Sequence, residues 1–122
     1  MKRKITVIFA TVCSVVMMLA GTALAATKVK FNPYYTAAPT GSVLSQNRTI
    51  DATGSKYYGW CTSAASGCTI HIHVPGSTDY TLGAGQDHNF NRTPSPSGNM
   101  TVTGTLIHGS TAGGATAYLQ KK

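Results

Sequence analysis

The chain has 122 residues, ten Lys and Arg against three acidic residues, and a formal net charge of +7. All three acids are aspartates, and the absence of glutamate removes most of what a paired-carboxylate glycosidase would need. The positive residues are scattered and form no basic tract, so composition gives no support for nucleic-acid binding.

The first segment reads as an address. "MKRKITVIFATVCSVVMMLAGTALA" begins with Lys2, Arg3 and Lys4, continues with an apolar run from Ile5 to Ala20, and ends in Ala23-x-Ala25. That order is the pattern of a cleaved secretory signal peptide over residues 1–25, leaving no transmembrane anchor. The run is short for a membrane span, and small residues follow it rather than a charged flank. Cys13 falls inside this segment. Residues 26–122 are then expected to form one secreted, extracellular domain, with seven cations against three aspartates.

From Ala26 onward the periodicity is that of strands. Short runs rich in threonine, valine, isoleucine and aromatics are separated by glycine, proline, serine and asparagine, and no helical stripe is sustained. Strands are predicted in "TKVKF", "VLSQNRTID", "KYYGWC", "CTIHIHV", "DYTL", "QDHNFN", "MTVTGTLIH" and "ATAYLQK". Turn chemistry fills "YYTAAPTG", "PGST", "GAG", "TPSPSG" and "GSTAGG". Runs this short and regular predict an all-β fold, a small antiparallel β-sandwich with an immunoglobulin-like or jelly-roll path.

Cys61 and Cys68 are an even pair in a chain expected to be exported, so a disulfide is predicted. It would pinch a hairpin between "KYYGWC" and "CTIHIHV". The intervening "TSAASG" is too long for the two-residue gap of redox and zinc motifs.

In "CTIHIHV", Ile70, Ile72 and Val74 share one face, which sends His71 and His73 together to the other. With Cα atoms about 6.6 Å apart along a strand, the two imidazoles can converge on one metal ion, and zinc or copper is the cofactor that imidazole ligands favour. A third ligand would come from His88, Asp87, His108 or Asp79, although no local motif ties any of them to the pair. The alternative is that the imidazoles only cover an exposed strand face.

Tyrosines give a second candidate site. Tyr58 and Trp60 share a face; with those two in the core, Tyr57 would point outward beside His71 and His73. Tyr34 and Tyr35, in a proline-flanked loop, are further exposed candidates. Tyrosine and histidine among Thr, Asn and Ser suit stacking on sugar rings or docking on a protein. No G-x-S-x-G elbow or other nucleophile motif is present, so no enzyme activity is expected.

These readings converge on a small secreted non-enzymatic binding protein acting on a cell-envelope glycan or a partner protein. A cationic antimicrobial role lies within the same class. The alternative is a secreted zinc- or copper-binding protein using His71 and His73.

Overall fold

The computed structural model describes residues 26–37 and 41–122; the expected signal peptide lies outside them. Nine strands are found among the described residues: β1 (Lys28–Phe31), β2 (Tyr34–Tyr35), β3 (Ser45–Asp51), β4 (Lys56–Ala64), β5 (Thr69–His73), β6 (Tyr80–Leu82), β7 (Asp87–Asn91), β8 (Asn99–Ile107) and β9 (Gly113–Lys121). No described helix is long and apolar enough to cross a membrane.

The pairing is nested. β5 pairs with β6, β4 with β7, β3 with β8 and β1 with β9, all antiparallel, as in one long hairpin folded at the β5–β6 turn. Rolling that ribbon brings β9 against β4 and β5 against β8. The result is two sheets, β1-β9-β4-β7 with β2 added on β9, and β3-β8-β5-β6. Of the two paths expected for the sandwich, this strand order is that of a jelly roll.

Alternation makes the core. Val29 and Phe31 of β1, Tyr57 and Cys61 of β4, Phe90 of β7 and Ala115, Ala117 and Leu119 of β9 face inward from one sheet. Ile50, Ile70, Ile72, Leu82, Val102 and Leu106 meet them from the other. Contact is closest where Phe31 lies over Gly104 of β8: a methyl group there would fall 2.7 Å from the Phe31 ring, so only glycine admits this aromatic between the sheets.

Three expectations are corrected here. Tyr57 does not face outward; it is fully buried, its hydroxyl donates to the Asp51 carbonyl, and it accepts from the Gly54 amide at 3.1 Å. The reason lies in its neighbour. Gly59 shares the Tyr57 face and leaves room for the Phe90 ring, whose Cε2 would be 2.9 Å from any Cβ placed there.

Second, "KYYGWC" and "CTIHIHV" do not form a hairpin. β4 runs on past Cys61 to Ala64, through a register shift against β9, and the chain then crosses to the other sheet to begin β5.

Third, Cys61 and Cys68 are not joined; both are buried free thiols. With no hairpin turn to bring them face to face, the premise of the pinch is gone. Cys61 instead donates to the Ser63 carbonyl at 3.3 Å, and burial pushes its thiol up. A thiol in that setting is a poor nucleophile. Treatment of the folded protein with a maleimide is expected to leave both residues unmodified until denaturant is added; peptide mass mapping without reductant then finds label on each. Label-free Cys61 and Cys68 peptides after full unfolding would mean that they are oxidised.

Candidate functional site

The outer face of the five-stranded sheet gathers cationic side chains around Tyr58, Trp60 and Tyr118. Across the sheet, register sets Lys30 beside Tyr118, Tyr118 beside Trp60 and Trp60 beside Asp87. The next row runs Lys28, Gln120, Tyr58 and Asn89. Lys56 and Lys122 share the same outward parity on β4 and at the end of β9.

Three rings form an offset-stacked row. Tyr58 and Trp60 have centroids 5.3 Å apart with planes 24° from parallel, and Trp60 and Tyr118 are 5.3 Å apart at 21°. Ammonium groups lie over them. Lys28 Nζ is 5.3 Å from the Trp60 ring and 5.1 Å from that of Tyr118, Lys30 Nζ is 5.9 Å from Tyr118, and Lys122 Nζ is 5.1 Å from Tyr58. Each such contact is worth about 0.5–1 kcal/mol at an exposed site, enough to bias a lysine's position without removing its charge from water.

Among the described residues the lysine–carboxylate pair is Lys121 with Asp51, at 3.6 Å. Arg48 and Arg92 are spent on backbone carbonyls. Of the described lysines, those left without a carboxylate partner are therefore Lys28, Lys30, Lys56 and Lys122, all on this face. Its one carboxylate is at the β7 margin, where Asp87 accepts from the Tyr58 hydroxyl at 2.8 Å; that bond, aided by burial, holds the phenol above its ordinary range.

The histidines lie on the outer face of the opposite sheet. His71 and His73 do project together from β5, as alternation requires, and both meet Asp79 of the β5–β6 connection. His71 Nε2 is 3.2 Å from Asp79 Oδ2, and His73 Nδ1 is 2.7 Å from Oδ1. With Nε2 protonated, His71 donates to Asp79 while its Nδ1, at 2.9 Å, accepts from the Thr81 hydroxyl. A glycine at φ 81°, Gly76, turns the chain so that Asp79 returns over the histidines.

This clasp ties the hairpin. Hydrogen bonds from His73, then His71, hold the Asp79 carboxyl below the usual carboxylate range. Folding thus favours the ionised form, and that contribution is complete above the ordinary carboxylate range and lost as pH falls through the lowered value. The stability gap between the parent and Asp79→Asn is expected to be level above about pH 5 and to close on further acidification, as measured by thermal melts at stepped pH. A gap that does not change down to about pH 2 would refute the clasp.

His88 does not join this pair. It is on β7 in the other sheet, stacked on Tyr80 at 3.7 Å and 4° and edge-on to Phe90. Among the described residues no group of three or more His, Cys, Asp or Glu is arranged to hold a metal ion. Tyr34 and Tyr35 are also elsewhere. They form β2, paired with Gly114 and Gly113; Tyr34 is exposed, while Tyr35 stacks on His108 at 3.7 Å. The expected patch of Tyr57, His71 and His73 is therefore divided between the core and one outer face.

Comparison with known proteins adds little to this description. No protein-family model matches the chain, and no curated protein does. Among solved structures the chain is similar to a cupin-like protein from Thermotoga maritima, with 7% identity over 80% of this chain and 78% of that one, at a TM-score of 0.32. A likeness at that level carries no functional argument, which leaves the side chains themselves.

Proposed function

We propose that this protein is a non-enzymatic binding protein whose ligand is an anionic glycan of a cell envelope, engaged by the outer face of the five-stranded sheet. The observation that carries the reading is the gathering of Lys28, Lys30, Lys56 and Lys122 around the Tyr58–Trp60–Tyr118 row, on a face with one aspartate. Polar and aromatic groups are mixed there at strand spacing, about 6.6 Å along each strand and 4.8 Å between strands. Such a grid presents several ammonium donors to a polymer carrying repeated carboxylate, sulfate or phosphate groups. The rings supply area for its C–H surfaces.

A secreted setting suits this ligand, and so does the net positive charge of residues 26–122. Calorimetry with a polyuronate, with neutral dextran of the same length and with a single-stranded oligonucleotide tests the reading. Binding to the polyuronate alone, weakening as salt rises, supports it. Equal binding to dextran would sink the charge-based part, and preference for the oligonucleotide would replace the glycan with a nucleic acid.

A further inference from the structure

Where the two sheets come together at β6 and β7, the edge strands leave a pocket of about 320 Å³ lined by Ser77, Thr78, Tyr80, His88, Asn89 and Asn91. We propose that this pocket takes one uncharged sugar ring. It rests on the glycan reading above and deepens it, by adding to the charged face a place where a neutral residue of the same polymer is recognised.

The lining is chemically narrow. It contains no Asp, Glu, Lys or Arg, so it presents no permanent charge to pair with one on the ligand. Asn89 and Asn91 project from β7 with the outward parity of the lysine face, and neither side-chain amide has a protein partner among the described residues. Each amide brings a donor and an acceptor together, the combination that adjacent sugar hydroxyls require. Thr78 and Ser77 add hydroxyls from the β5–β6 connection.

The aromatic part is held in place. Tyr80 is 41% exposed, yet its ring is nearly parallel to His88, which is itself fixed edge-on by the buried Phe90. An exposed ring pinned by stacking costs little further ordering when a ligand packs on it. The volume is at the low end for small-ligand pockets, which run from about 300 to 1,000 Å³, and so fits one ring better than a chain. Asn89 is also the β7 neighbour of Tyr58, making the pocket continuous with the lysine face.

The test is an NMR titration of the whole protein with the methyl glycosides of glucose, galactose and N-acetylglucosamine, each taken to about 100 mM to cover millimolar affinity. At least one is expected to shift the Asn89 and Asn91 side-chain amides and the Tyr80 ring saturably. Asn89→Ala and Asn91→Ala should each weaken it about tenfold, the usual cost of a lost hydrogen bond. Thr101→Ala, an exposed position on β8 of the opposite sheet, should leave it unchanged. No saturable shift with any of the three, or shifts confined to Tyr58, Trp60 and Tyr118, would overturn the assignment. Polyuronate binding that survives such a failure leaves the lysine face standing; polyuronate binding that fails while the glycosides still shift Asn89 refutes the face alone.

Discussion

Trp60→Ala is expected to lower affinity for a polyuronate by about 30-fold, the scale of an aromatic hot spot at the centre of an interface. Trp60 is the middle ring of the row, touching Tyr58 on one side and Tyr118 on the other, with the Lys28 ammonium over it. Its removal takes away contact area and also releases the lysine. Because the ring is only half-buried and faces away from the core, the stability cost should be about 1 kcal/mol, a fall in Tm of about 4–8 °C for a domain of this size. Lys28→Gln with Lys30→Gln makes the complementary test: affinity should fall at low salt and its salt dependence should flatten, since fewer charges are then screened. Calorimetry at two salt concentrations reads both effects. Unchanged affinity in Trp60→Ala would remove the aromatic row from the site.

Tyr57→Ala should give the largest loss of stability. The ring is fully buried, and truncating a buried aromatic costs about 3–5 kcal/mol. The hydroxyl adds to this, because it bridges Asp51 and Gly54 and so holds the β3–β4 connection. Tyr57→Phe isolates that part and should cost about 1–2 kcal/mol, leaving both backbone groups short of a partner. Against a total stability of about 5–15 kcal/mol the alanine variant is severely weakened. Urea unfolding measures all three proteins. A Tyr57→Ala midpoint close to the parent's would be incompatible with a core tyrosine.

These two residues mark where the sequence was legible and where it was not. Alternation alone gave Ile70, Ile72 and Val74 to the core and sent His71 and His73 outward together, as found. The same alternation in "KYYGWC" offers two faces, and ranking them by bulk puts Tyr58 and Trp60 inside. Bulk was a poor guide because the space a core residue needs is set by the opposite partner: Gly59 faces inward precisely where Phe90 fills the volume. Lys56 was the usable signal, since it has the parity of Tyr58 and Trp60 and a lysine marks the wet side. Likewise Lys28 and Lys30 alternate with Val29 and Phe31, and Tyr118 and Gln120 with Ala117 and Leu119.

Other features depended on partners distant in sequence. β2 is two residues long and exists through Gly113 and Gly114 of β9, so "NPYYTAA" reads locally as a loop. The Tyr80–His88 stack and its pocket need β6 and β7 to end up at the same side of the sandwich, a relation that no local pattern encodes. The cysteine expectation rested on an even pair in an exported chain; the hairpin that was to hold the pair failed because strand order placed β4 and β5 in different sheets, and both thiols are free.

The nested pairing also governs how the chain reaches this structure. β9 lies between β1 and β4 and carries β2 as well, so the five-stranded sheet lacks its organising strand until Gly113–Lys121 is free to dock. Closing β1 onto β9 spans most of the described chain, and the loop entropy must be met before those contacts repay it. Folding is therefore expected on the millisecond-to-second scale of non-local β topologies, rather than the microseconds of local helical ones. During synthesis β1 and β4 must wait with open edges, and the alternating lysines of β1 make that wait safer by discouraging pairing with other chains.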